Sequence, residues 1–189
     1  MKIKDLIVPA LALFLICLVS SFLLAGTNAV TKDRIAQTQK AQAESSRKIA
    51  FESAASFGEE QTVDVNGKQI SYTAALDENG ALIGYVFTSV NHGYGGDVKV
   101  MTGVDDTGTV TRAVILSMDN ETPGLGQNAS KEEFWSQFSE KTGPFVWVKS
   151  GGEGNNITGV TSTSFTSRAV IAGVNDALDA FAAVKGAEQ

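Results

Sequence analysis

Between Ile157 and Phe181 the chain reads ITGVTSTSFTSRAVIAGVNDALDAF, with hydroxyls at Thr158, Thr161, Ser162, Thr163, Ser164, Thr166 and Ser167. From Ser167 onward apolar residues recur at Ala169, Val170, Val174, Ala177, Leu178 and Phe181, which is the spacing of a helix. A hydroxyl cluster therefore feeds directly into a helix N-terminus. The first turn of a helix presents unpaired N–H groups and the positive end of the dipole, so it can hold an anion such as phosphate. A Ser/Thr-rich N-cap needs no ligand and has the same pattern.

Two glycine-rich stretches upstream have the makings of a binding site. In His92-Gly93-Tyr94-Gly95-Gly96-Asp97 the glycines let backbone approach a ligand, Tyr94 can rest against a flat ring and His92 can donate a hydrogen bond. A bulge or wide turn would use the same glycines. Glu121-Thr122-Pro123-Gly124-Leu125-Gly126 is a rigid turn followed by two points of backbone freedom, just after a strand end, where loops often carry binding groups.

Together, and in this order, the three stretches resemble the FMN-binding domain of the G subunit of Rnf electron-transport complexes. A related domain occurs in the C subunit of the sodium-pumping NADH:quinone reductase. The resemblance runs from the N-terminal apolar segment to the final helix, and its most specific part is ETPGLG, reproduced without change from Glu121 to Gly126. It implies that Thr122 and Leu125 touch the isoalloxazine of FMN, with Glu121, Pro123, Gly124 and Gly126 around them, and that Tyr94, Gly95 and His92 line the same site. It also implies a covalent cofactor, because in this family a hydroxyl in a motif close to [ST]-G-A-T-x-T-S is joined to FMN by a phosphoester.

Alignment on Thr166-Ser167-Arg168-Ala169-Val170 puts Ser164 at that hydroxyl, with Thr163 where Ala is usual. Alignment on Thr158-Gly159-Val160-Thr161 puts Thr161 there and requires three additional residues before the helix. Ser164 is preferred, because the distance from the helix N-terminus decides whether the phosphate meets the free N–H groups; Thr161 is the alternative. Thr163, Thr166 and Ser167 then surround the phosphate. A Ser hydroxyl is not nucleophilic at its free pKa, and in this family a separate flavin transferase uses FAD with Mg2+ and releases AMP. The partners implied are the other Rnf subunits, especially the integral-membrane, flavin-carrying D subunit. Electron relay through FMN, coupled by the complex to Na+ or H+ movement, is the implied function, in a redox subunit with no substrate turnover of its own. A membrane-anchored flavoprotein reductase outside Rnf and a cofactor-free structural module are the rival readings.

The rest of the chain must position these residues. Its 189 residues allow one domain plus an anchor, and a net charge of -6 with interspersed signs argues against a nucleic-acid surface. The single His and single Cys exclude a Cys/His zinc site and an intramolecular disulfide. No EF-hand spacing is present, and no metal site is expected. Residues 6–26 form an uncharged apolar run, long enough as a helix to span a bilayer and longer than the usual core of a signal peptide, which favours retention as an anchor. Lys2 and Lys4 precede it against Asp5, which places residues 1–5 in the cytoplasm and everything after about Thr27 outside.

Residues 27–60 read as a juxtamembrane segment, helical and mostly polar from Val30 to Ser56, and 61–189 as the extracytoplasmic FMN-binding domain. In that domain Thr62–Val65, Gln69–Leu76, Leu82–Val90, Val98–Val104 and Val110–Met118 alternate with turn signals, predicting an antiparallel meander. A helix from Ser130 to Ser139 with a Ser130/Glu133 capping box, a strand at Phe145–Val148, a loop at Gly151–Asn156 and a closing helix to about Val184 complete an α+β fold.

Overall fold

The computed structural model describes residues 3–118, 126–161 and 163–187. The chain divides into two compact units, Met1–Ala43 and Glu44–Gln189. Helix α1 (Ile3–Ala50) carries, at Pro9–Lys32, the one segment among the described residues long and apolar enough to cross a membrane. The juxtamembrane helix read to Ser56 stops at Ala50, where the chain turns into the two-residue strand β1 (Ser56–Phe57).

The second unit is built on the expected antiparallel meander: β2 (Gln61–Val65), β3 (Lys68–Leu76), β4 (Leu82–His92), β5 (Asp97–Asp105) and β6 (Val110–Ser117), with β1 and β2 both on the outer edge of β3. Its turns follow from local chemistry. At the β2–β3 turn Asn66 and Gly67 have φ of 54° and 76°, the geometry that an Asn-Gly hairpin requires. The β3–β4 and β5–β6 turns share one device: Asp77 Oδ1 accepts from the N–H groups of Asn79 and Ala81, and Asp105 Oδ1 from those of Thr107 and Thr109.

Helix α3 (Ser164–Ala187) covers one face of the sheet, where Val170 and Val174 pack with Val98 and Val100, and Ala177, Ala180 and Val184 with Ile70, Tyr85, Phe87 and Val104. On the other face Ala50, Phe51 and Ala54 bury Ala75, Val86 and Met101.

Three further expectations need correction. The helix read over Ser130–Ser139 is broken into a 3-10 turn (Gly126–Ser130), a four-residue α2 (Glu132–Trp135) and a second 3-10 turn (Ser136–Phe138). Its N-cap is Lys131 rather than Ser130, and the Lys131 side chain makes no capping bond, so Glu133 falls at the second helical position instead of the third that a capping box with Ser130 needs. Packing decides this segment: Phe134 and Phe138 meet edge-to-face at 5.6 Å, and Phe138 meets Phe145 at 5.2 Å. Second, Asn156 is not loop but begins β8 (Asn156–Thr158), parallel to β7 (Val146–Val148). Third, α3 begins at Ser164, ahead of the apolar periodicity that announces it.

Candidate functional site

Ser164 is the first residue of α3 and is half-buried. Thr163 precedes it, and its carbonyl accepts the Ser167 N–H at 3.0 Å, the first bond of the helix. Thr163 Oγ1 turns back to the Val160 carbonyl at 3.2 Å. The loop residues Gly159 and Val160 are also held against their surroundings. Val160 N–H donates to Ser167 Oγ at 2.9 Å, and Gly159 N–H donates to the Val148 carbonyl at 2.9 Å. A Cβ on Gly159 would fall 2.1 Å from Trp147 Nε1, so only glycine lets the loop lie on that indole, whose other neighbours include the Arg168 guanidinium at 4.4 Å from the ring centroid.

Two amide side chains complete the support by acting as strand rungs. Gln137 Oε1 accepts the Thr158 N–H at 2.8 Å while its Nε2 donates to the Thr158 carbonyl at 3.2 Å. Asn175 on α3 does the same for Phe145, at 2.8 and 2.9 Å. Each satisfies backbone groups that the short strands leave without a partner.

The candidate residues from the sequence fall into distinct places. Thr166 and Ser167 are enclosed beneath the start of α3, at 1% and 0% exposure, and Ser167 shapes the loop through Val160. Thr161 is exposed in the turn before α3. His92 ends β4 with Nδ1 3.2 Å from Asp97 Oδ1, and the Gly93 N–H closes the glycine turn onto the Gly96 carbonyl at 2.7 Å. Gly95 and Tyr94 lie exposed on that turn, and the Tyr94 ring meets Phe165 of α3 at 6.3 Å between centroids. The structure thus brings the glycine turn to the helix that begins at Ser164. Glu121, Thr122, Pro123, Gly124 and Leu125 lie outside the described residues; Gly126 opens the 3-10 turn that follows them.

A cleft of about 540 Å³ lies between that turn and the loop, lined among others by Asn128, Lys131, Gln137, Gly159 and Thr161. Its size suits a small-molecule cofactor. Nearby, the buried Trp147 Nε1 has no hydrogen-bond partner among the described residues, an unspent donor beside Gly159. A hydroxyl at the start of a long helix, a lysine in the adjoining cleft and an unspent N–H beside the loop suit a phosphate-bearing cofactor. Gln137, Trp147, Lys131 and Phe165 carry no local signal in the sequence, since their relation to the loop depends on strand pairings and turns remote in sequence.

The profile of the FMN-binding domain family matches residues 93–179, spanning the glycine turn, the cleft and most of α3. The C subunit of the Na(+)-translocating NADH-quinone reductase of Parabacteroides distasonis has the same fold, with a TM-score of 0.58 at 21% identity over 79% of this chain and 94% of that one. Profile and fold together define a flavin-binding domain of the FMN-binding class, preceded in sequence by an apolar helix.

A second profile, the RnfG N-terminal region, matches residues 1–47. The chain is 33% identical over 164 residues to the G subunit of the proton-translocating ferredoxin:NAD(+) oxidoreductase complex of Clostridium ljungdahlii, covering 86% of this chain and 84% of that protein. It is also 33% identical to the Na(+)-translocating counterpart of Acetobacterium woodii, covering 90% and 89%. The chain belongs to the G-subunit family of ion-translocating electron-transport (Rnf) complexes, redox complexes associated with the membrane.

Proposed function

We propose that this protein relays electrons through one FMN joined by a phosphoester to Ser164, on the extracytoplasmic side of the membrane. The observation that carries the reading is the position of Ser164 as the first residue of α3, beside the N–H groups of the first turn. A phosphate esterified there gains from the helix dipole, and Lys131 lines the cleft that reaches Thr161, three residues ahead of it. Thr163 and Ser167 hold the loop that sets the direction of the ester. FMN supplies the redox chemistry when bound. Burial, hydrogen bonds and nearby charge from this chain tune it, and no side chain has to act as a nucleophile or base during electron transfer.

Attachment itself needs outside help. A flavin transferase forms the bond between Ser164 Oγ and the flavin-side phosphorus of FAD, breaks the pyrophosphate bond to release AMP, and removes the hydroxyl proton. A covalent link suits an extracytoplasmic site, where no pool of free FMN sustains a dissociable cofactor. The other Rnf subunits, the membrane-embedded, flavin-carrying D subunit among them, exchange electrons with this FMN, and the complex couples the flow to Na+ or H+ movement. The orientation rests on Lys2 and Lys4 ahead of the span. An impermeant maleimide should label a Ser53→Cys, Cys17→Ser protein in intact cells, and labelling only after lysis would reverse the topology.

A second reading places the flavin on Thr161, which is exposed and lines the cleft, whereas Ser164 does not. One experiment addresses both. With the transferase co-expressed, Ser164→Ala should give a folded protein without in-gel flavin fluorescence, Ser164→Thr should keep it, and Thr161→Ala should remain fluorescent. The reverse pattern would move the site to Thr161. A wild-type protein without covalent flavin would defeat the reading.

A further inference from the structure

Most apolar side chains of α3 turn toward the sheet, but Phe165 does not. It is 64% exposed one residue after Ser164, and its neighbour Tyr94 is 73% exposed. The two rings sit 6.3 Å apart with planes inclined at 43°, so they touch without stacking on each other. Single exposed apolar residues need no explanation. Two large aromatics in contact, contributed by separate elements at one spot, form a shared, largely exposed apolar surface.

That surface is anchored on both sides. Phe165 lies in the first turn of a helix whose following residues, Thr166 and Ser167, are enclosed. Tyr94 stands on a turn closed by the Gly93–Gly96 hydrogen bond and flanked by the His92–Asp97 contact at 3.2 Å. Neither aromatic carries a charge, and each offers a face or edge to a flat aromatic partner.

We infer that Phe165 and Tyr94 form a platform for the isoalloxazine ring of the flavin tethered at Ser164, with Phe165 as a cofactor contact. This inference rests on the attachment proposed above. Phe165 adjoins the tether in sequence, and the ribityl chain between phosphate and ring supplies the reach to a neighbouring side chain. A ring placed there covers apolar surface that otherwise faces water and acquires a fixed orientation, which a tether through a flexible chain does not provide by itself. Contact with Phe165 shields one face of the flavin and sets its spectrum and potential.

The test uses the full chain, loaded by the transferase in wild-type, Phe165→Ala, Phe165→Leu and Phe165→Tyr forms. Peptide mass analysis first locates the flavin, and iodide quenching of flavin fluorescence, visible circular dichroism and the midpoint potential are then compared. Phe165→Ala and Phe165→Leu should carry flavin yet show a roughly two-fold or greater rise in quenching, the population change that loss of a ring–ring contact implies. Their visible dichroism should change as well, while Phe165→Tyr stays near wild type. Flavin-bearing Ala and Leu variants that match wild type in all three readouts would overturn the platform. So would failure of both to take up flavin, which would make Phe165 a recognition residue for the transferase. Wild-type flavin located on a residue other than Ser164 would overturn the attachment reading, and the platform with it, at the first step.

Discussion

Thr111 Oγ1 donates a hydrogen bond of 2.6 Å to the carbonyl oxygen of Ala50, the last residue of α1. A helix C-terminus ends in carbonyls without intrahelical partners, and here one of them is satisfied by a β6 hydroxyl. Gly103 makes the approach possible: a Cβ there would fall 2.3 Å from both the Ala50 oxygen and Thr111 Oγ1. Thr111→Val should cost about 1–3 kcal/mol, the penalty for stranding a buried acceptor, and Gly103→Ala should cost more because backbone must move. Thermal unfolding of the detergent-solubilised chain by circular dichroism should rank Gly103→Ala below Thr111→Val and both below wild type. Equal stability of Gly103→Ala and wild type would contradict the close contact.

A similar socket joins α3 to the sheet. Ser89 Oγ donates to the Gly173 carbonyl at 3.0 Å, and a Cβ on Gly173 would meet Ser89 Oγ at 2.8 Å and Val100 at 3.2 Å. Gly173→Ala should destabilise by about 1–3 kcal/mol through overpacking. Adding Ser89→Ala removes the nearest atom, so the double variant should be more stable than the sum of the single effects, as neighbouring sites generally couple. Strict additivity in the double-mutant cycle would argue that the helix simply shifts away.

These two sockets also mark what the sequence withholds. The turns at Asp77–Gly80 and Asp105–Gly108 are legible because Asp and Gly act on their own backbone neighbours, and the β2–β6 meander follows from turns and alternation. The start of α3 is hidden because three of its first four residues, Ser164, Thr166 and Ser167, carry hydroxyls, and the apolar period that announces the helix begins only at Ala169. Gly103, Gly159 and Gly173 give no local signal, since what each admits lies far along the chain. The three-residue β8 is too short to show a period, and Gln137 completes it from a different element. The glycine turn and the hydroxyl cluster stand out as motifs, whereas the meeting of Tyr94 with Phe165 requires the fold.

Acid should loosen the β3–β4 turn. The Asp77 carboxylate accepts N–H bonds from Ala81 and Asn79, and the Ala81 bond above all holds its pKa below the ordinary aspartate value. A carboxyl whose folded pKa is depressed contributes stability that is present in full above the unfolded value, near ~3.9, and is lost as pH falls through the lower folded value. Asp77→Asn should therefore flatten the acid limb of stability measured against pH below about 4 while leaving its slope near neutrality unchanged. An unchanged acid limb would show that the turn does not depend on the charge.

The last prediction concerns the support of the attachment loop. Ser167 is fully buried, and its Oγ accepts the Val160 N–H at 2.9 Å, linking the loop to the first turn of α3 across Thr161 and Ser164. Ser167→Ala keeps the helix, since Ala is the better helix former, but leaves the Val160 donor without its acceptor at a cost of about 1–3 kcal/mol. The loss falls on the loop rather than on the hydroxyl that carries the flavin. Ser167→Ala should therefore still become flavinylated, only more slowly, and its Gly159–Thr163 amides should exchange faster than those of α3 downstream of Val170. Ser167→Thr retains the oxygen and should recover part of the rate if the enclosed site admits the extra methyl. Hydrogen exchange on the loop, read beside the time course of in-gel flavin fluorescence, separates the two roles. Unchanged exchange with abolished fluorescence would place Ser167 in direct contact with the phosphate or the transferase, whereas faster exchange with delayed fluorescence is the outcome that the Val160 hydrogen bond requires.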